Sequence, residues 1–157
     1  MTIIPATRSD LPAIRKLYEE LNACMAALQH NNFRPAQQNE DFILSMLADE
    51  SSDFLTAKTE TGAMMGFALV QAKVTPPHPS FIPRAYTYLM DIVVTESCRR
   101  QGVGYALLEE VMRWAQGRGS EFIELGVLSE NSAAIKVYEK FGFAERRKIM
   151  EFDLTQN

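Results

Sequence analysis

Cysteine is scarce in this chain: two residues in 157, Cys24 and Cys98, neither in a Cys-x-x-Cys pair. One bridge at most can form, so the fold cannot rest on a disulfide framework and suits a reducing compartment. Histidine is equally scarce, with only His30 and His78. No metal-ligand spacing arises from these four side chains, and no metal is expected. An excess of positive charge is lacking too. Sixteen Lys and Arg stand against twenty Asp and Glu, a net charge of −4. That balance disfavours a nucleic-acid-binding domain and strong attachment to an anionic membrane surface. No apolar run approaches the roughly 18 residues of a membrane span. The opening Met1-Thr2-Ile3-Ile4-Pro5 has no basic region and meets Arg8 and Asp10 within ten positions, unlike a secretory leader, so a cytoplasmic location is expected. Internal repeats and low-complexity runs are also absent.

What remains is an ordinary globular chain. At this length folding buries about 70% of the surface that the unfolded chain exposes, enough for one core without staples. One domain over residues 1–157 is expected.

Hydrophobic spacing gives the elements. Thr2–Ala6 is short and β-branched, a strand. Ser9-Asp10 before Leu11-Pro12 is a helix start, with proline where its missing N–H costs nothing. Leu11, Ile14, Leu17, Tyr18 and Leu21 continue that helix, and Phe42, Ile43, Met46 and Leu47 mark a second. Phe54–Lys58 and Met64–Val74 read as strands joined through Thr59–Gly62. Thr75–Pro83 holds prolines at 76, 77, 79 and 83 and reads as an extended surface loop without Asp or Glu. Then come a strand at Tyr86–Val94, a helix around Leu107–Ala115, a strand at Phe122–Leu128 and a helix at Ser132–Lys140 stopped by Gly142. A last strand is expected at Lys148–Leu154, with Met150, Phe152 and Leu154 on one face. Antiparallel strands followed by a crossover unit make an α+β (α/β-like) fold with helices on both faces of one mixed, mostly antiparallel sheet.

The stretch Asp91–Tyr105 carries the first chemical signal. A strand runs into Arg99-Arg100-Gln101-Gly102-Val103-Gly104, and a helix opens there. The first N–H groups of a helix have no internal partner, and the dipole adds partial positive charge. Glycines let an anion approach, and Arg99 and Arg100 add full charge, so the turn suits a diphosphate. A Walker loop is excluded for want of GxxxxGK. A dinucleotide fingerprint is excluded because Leu107 stands where its third glycine belongs.

A second motif follows one helix and one strand later: Asn131-Ser-Ala-Ala134-Ile-Lys-Val-Tyr138-Glu-Lys-Phe-Gly-Phe143. With Arg-x-x-Gly-x-Gly at 99–104, it resembles the paired cofactor motifs of the GNAT superfamily of N-acetyltransferases, and the element order resembles that fold over nearly the whole chain. The resemblance implies a central sheet of about six or seven strands with a splayed fourth and fifth strand pair. It implies acetyl-CoA as co-substrate, with its pyrophosphate on backbone donors near Arg100, Gln101, Gly102, Val103, Gly104 and Tyr105. The pantetheine arm would lie along Ile92, Val93 and Val94. Asn131 would bond that arm or cap its helix. Tyr138 matches the general acid, which suits a phenol whose ordinary pKa near 10 lies above a thiol near 8.5.

The base is where the chain departs from the pattern. Members with a carboxylate base carry it in the fourth strand, where this chain has Met90, or in the fifth, where it has Gly126. Asp91, expected on the face opposite Met90, and Glu124, on the face of Gly126, are the candidates, with a water chain as the alternative. The implied partner is an amine acceptor, and a homodimer is left open. The competing reading is a module that binds or senses coenzyme A without turnover.

Overall fold

The computed structural model describes residues 1–155. Strand β1 (Thr2–Pro5) leads into helix α1 (Leu11–Leu28), helix α2 (Glu40–Ala48) and strands β2 (Ser52–Lys58), β3 (Met64–Val74) and β4 (Ala85–Val94). Helix α3 (Val103–Gly117), strand β5 (Phe122–Leu125) and helix α4 (Ser132–Phe141) complete it. The start of α1 follows one of its two signals: Pro12 sits in the first turn, but the Asp10 side chain makes no capping bond to α1. Asp10 Oδ2 instead accepts from the Thr7 N–H at 2.9 Å across the short turn Arg8–Asp10 that precedes the helix.

The strands form one sheet in the order β1-β2-β3-β4-β5. The first four are antiparallel neighbours and β4 runs parallel to β5. The sheet splits the core in two. Ile14, Leu17 and Tyr18 of α1 and Ile43 of α2 cover Phe54, Phe67, Leu69 and Val93 on one face. Val103, Leu107, Leu108 and Val111 of α3 cover Leu55, Ala57, Ala68, Val70 and Leu89 on the other. Alternate residues of each strand feed opposite faces, as the pleat requires.

Two departures position the site. Along β3 and β4, Leu69 pairs with Asp91 but Val70 pairs with Leu89, so Met90 is an extra residue, a β-bulge. The β4–β5 ladder begins at Tyr86–Phe122 and ends at Leu89–Leu125, next to that bulge. Past it no β4–β5 pairing continues among the described residues. The expected strand through Leu128 therefore stops at Leu125, because residues 126–128 have no ladder to join.

The sheet has five strands among the described residues rather than six or seven. The segment Lys148–Leu154 has the expected alternation but forms no strand among the described residues. Residues 144–152 make no backbone–backbone hydrogen bond among the described residues, and Ile149, Met150, Phe152 and Leu154 are 94%, 87%, 87% and 81% exposed. Alternation supplies a face, but a strand needs a neighbouring backbone to pair with.

The close approach of β3 to β4 depends on Gly66. A Cβ there would lie 2.5 Å from the Val93 carbonyl oxygen. Gly66→Ala is expected to destabilise by about 1–3 kcal/mol through overpacking, read as a melting temperature several degrees lower. An unchanged melting temperature would contradict this packing.

Candidate active site

The glycine turn presents a row of backbone donors. After Val94 the chain makes a short turn at Glu96–Cys98, and Arg100 and Gly102 both take positive φ, +59° and +83°. Gly102 caps α3 in that left-handed conformation, where a side chain is strained. The consequence is a row of outward N–H groups. None of those from residue 100 to residue 105 finds a partner among the described residues, and the first bond of the turn is Ala106 N–H to Gly102 O at 3.0 Å. These donors lie at the positive end of a 15-residue helix.

Arg99 and Arg100 play different parts. Arg99 Nε donates to the Val94 carbonyl at 3.0 Å, and its Nη2 lies 3.6 Å from Glu20 Oε2. Glu20 of α1 also accepts from Thr95 Oγ1 at 2.8 Å and from the Glu96 N–H at 3.0 Å. Arg99 and Glu20 thus pin the turn to α1. Arg100 has no ion pair among the described residues and stays exposed beside that row. Gln101 reaches back to the Ser97 carbonyl at 2.8 Å.

Strand β4 leads to this turn. Ile92 and Val94 pack towards the α3 side and Val93 towards the α1 side. The bulge corrects the expectation for Asp91. Simple alternation sets it opposite Met90, but the extra residue brings both to the α1 face. Met90 packs there against the Tyr18 and Phe67 cluster, and Asp91 Oδ2 accepts from Tyr18 Oη at 2.8 Å. The other Asp91 oxygen has no protein donor among the described residues. Burial holds the Asp91 carboxyl above the usual range, with the Tyr18 hydrogen bond pulling the other way. Tyr18 is pushed up strongly, first by burial and then by Asp91.

Glu124 stands opposite Tyr88 across the β4–β5 ladder. Tyr88 also titrates high, through burial and then through the charges of Asp91 and Glu124, so the three groups share one neighbourhood. Tyr86 stacks on Phe122 at 4.9 Å and Lys73 lies over the Tyr88 ring at 4.8 Å. The result is an aromatic floor with two carboxylates, lying on the α1 side where the strands part. Glu40, by contrast, is taken by Arg15 at 3.2 Å.

Across the sheet, Tyr138 of α4 packs against the α3 cluster, with its ring 5.9 Å from Phe143. Burial pushes its pKa up to about 12. The hydroxyl makes no hydrogen bond among the described residues, and it is not sealed from solvent either. Asn131 caps α4, its side chain accepting from the Ala134 N–H at 3.1 Å. Tyr105 ties α3 to α4 through Phe141, ring to ring at 5.2 Å. Among the described residues no group of three or more His, Cys, Asp or Glu could hold a metal ion, and no helix is long and apolar enough to cross a membrane. Sequence reasoning missed the Glu20 clamp and the Tyr18–Asp91 pair. Their partners lie 75 and 73 positions apart.

Comparison with known proteins bears on this arrangement. A family model described as the acetyltransferase (GNAT) family matches residues 14–143. The ribosomal protein bS18-alanine N-acetyltransferase of Escherichia coli is 34% identical over 87 residues, 55% of this chain and 52% of that enzyme. The chain thus spans about half the length of that curated relative. A mutant Bacillus halodurans protein solved by crystallography superposes with a TM-score of 0.93 at 24% identity, over 98% of this chain and 99% of that one. An aminoglycoside N-acetyltransferase solved with CoA superposes at 0.74 with 20% identity, over 97% and 98%.

Proposed function

Since the chain belongs to the GNAT acetyltransferase family, we propose that it is an acyltransferase that moves the acetyl group of acetyl-CoA to a primary amine of a small molecule or peptide by direct attack. One observation carries this reading: the unpartnered N–H row at 100–105 opens beside the gap where β4 and β5 part, with the carboxylates on one side of the sheet and Tyr138 on the other.

The roles follow from chemistry. The N–H groups of residues 100–105 take the pyrophosphate, with Arg100 adding charge. The backbone of Ile92 to Val94, freed from β5, lies along the pantetheine arm, and Asn131 serves mainly as the helix cap. Acetyl-CoA supplies the thioester. Asp91 takes the proton of the incoming ammonium, directly or through water, because a carboxylate with a raised pKa is a better match to neutral pH than an ordinary one. Glu124 draws the cation towards the aromatic floor. When the amine nitrogen bonds the acetyl carbon and the carbon–sulfur bond breaks, Tyr138 gives its proton to the sulfur. Residues 1–157 act here as one catalytic domain.

Release of free thiol from acetyl-CoA, screened across small amines, amino acids and peptides, tests the reading. Binding without thiol release above background would refute it and favour a coenzyme A binding module.

The assignment of Asp91 has its own test. The base must be ionised, so kcat/KM climbs with pH through the Asp91 pKa, on a limb above the ordinary carboxylate value near 3.9. Asp91→Asn is expected to lower kcat by about 10²–10⁴-fold and abolish that limb. Tyr18→Phe removes the bond that lowers the pKa, so the limb moves to higher pH. Full activity in Asp91→Asn would pass the role to Glu124 or water.

A further inference from the structure

The glycine turn has little backbone bonding of its own to hold it. The N–H groups of residues 100–105 have no partner among the described residues, and Arg100 takes a φ of +59°, which a residue with a side chain rarely adopts. Such a conformation persists where its surroundings impose it. Two side chains of the segment brace it locally. Arg99 Nε bonds the Val94 carbonyl at 3.0 Å, and Gln101 Nε2 bonds the Ser97 carbonyl at 2.8 Å.

One side chain braces it from outside. Glu20 of α1 lies 75 positions before Thr95, yet its Oε1 accepts from Thr95 Oγ1 at 2.8 Å. Its Oε2 accepts from the Glu96 N–H at 3.0 Å and lies 3.6 Å from Arg99 Nη2. Among the described residues no other side chain from another element bonds this turn. If charge were its purpose, a carboxylate beside a row of donors for an anion has the wrong sign. Here both oxygens are taken by donors and Arg99 offsets the charge. The residual repulsion is screened by salt, whereas hydrogen bonds to an ionised oxygen are short, strong and directional.

We propose that Glu20 is a positioning residue for the acyl donor: by holding Thr95, Glu96 and Arg99 it fixes the donor row at 100–105 in the geometry that receives the pyrophosphate of coenzyme A. It acts through the turn and not by contact with the ligand. It also keeps the Arg99 guanidinium turned to Val94 and Glu20, which leaves Arg100 as the arginine for the phosphates. Two residues earlier on the same helix, Tyr18 bonds Asp91 at 2.8 Å. One rigid element thus sets the turn and the carboxylate relative to each other. The inference rests on the reading of coenzyme A as the acyl carrier.

Calorimetry with coenzyme A, alongside the melting temperature, tests it. Glu20→Ala is expected to bind coenzyme A about 10–100-fold more weakly, the scale of one charge-assisted hydrogen bond. Its melting temperature should stay within a few degrees of the unaltered chain. Glu20→Gln is expected to recover affinity to within about fivefold. Its amide oxygen still accepts from Glu96, its NH₂ donates to Thr95 Oγ1, and only the exposed ion pair with Arg99 is lost. If charge alone mattered, both variants would bind the anionic ligand more tightly. Unchanged or tighter binding by Glu20→Ala therefore overturns the proposal, as does a Glu20→Gln chain that binds no better than Glu20→Ala. A large fall in melting temperature that accompanies the lost affinity makes Glu20 a folding residue and overturns it too. An unaltered chain that does not bind coenzyme A overturns the cofactor reading itself, and this inference with it. Should Glu20→Ala fail to fold, Thr95→Val decides: about 3–10-fold weaker binding is expected from the loss of one neutral hydrogen bond, and unchanged affinity overturns the proposal.

Discussion

Tyr138→Phe is expected to retain affinity for acetyl-CoA while losing about 10–10⁴-fold in kcat, the reach of general acid catalysis. The reason lies in what the substitution spares. The ring sits among Phe143 and the α3 cluster, and phenylalanine fills that space equally well. The hydroxyl bonds no described residue, so its removal orphans nothing. Folding stability should therefore stay within about 1 kcal/mol. What disappears is a proton donor held in its protonated form, since burial sets its pKa at about 12. The departing thiolate, with an ordinary pKa near 8.5, must then wait for water. Acyl donors with a less basic leaving thiol should be affected least. Parallel measurement of melting temperature, coenzyme A affinity by calorimetry and kcat separates the roles. Equal losses of stability and activity would make Tyr138 a packing residue.

Gly104→Val is expected to weaken coenzyme A binding by about 10²–10⁴-fold with the fold intact. The protein itself has room for the side chain. A Cβ at Gly104 meets only Val94 Cγ2, at an ordinary 3.7 Å, and the residue lies in the first turn of α3. Valine is also a better helix former than glycine. The ligand has no such room, because a branched side chain stands over the N–H groups that would meet the pyrophosphate. Losing two charge-assisted hydrogen bonds, each worth about 1.5–3 kcal/mol, accounts for that range. Gly102→Val is a poorer probe. Its φ of +83° strains any side chain, so folding and binding would be lost together. Calorimetry showing unchanged affinity in a well-folded Gly104→Val chain would remove the glycine turn from the cofactor site.

The sequence displayed local periodicities well and long-range partners poorly. Leu107, Leu108, Val111 and Ala115 form the buried stripe of α3, as their spacing implies, whereas Met112, whose spacing suggests the same stripe, is 38% exposed. Gly102 takes the left-handed turn that its place in the motif suggests. The bulge at Met90 was not readable, because nothing in Tyr-Leu-Met-Asp-Ile distinguishes an uninterrupted strand from one with an extra residue. That is why Asp91 was expected on the wrong face. The Tyr18–Asp91 and Glu20–Thr95 contacts join elements that only the folded sheet brings together. At the C-terminus the alternation in Lys148–Leu154 suggests a strand that the structure does not form, because alternation does not supply a neighbouring backbone to pair with.

The bulge has a further meaning for how such a gap can arise. In a strand with a period of two, an inserted residue ordinarily inverts every side chain that follows. Here ten residues of β4 lie against nine of β3, Gly66–Val74, and the surplus is absorbed at one point. Leu89 before it and Ile92 after it both serve the α3 side, while Val93 keeps its place on the other. The insertion is frame-neutral: the strand is one residue longer, yet no core residue has changed sides. A single added codon can thus open a slot in a closed sheet without rewriting the hydrophobic pattern around it.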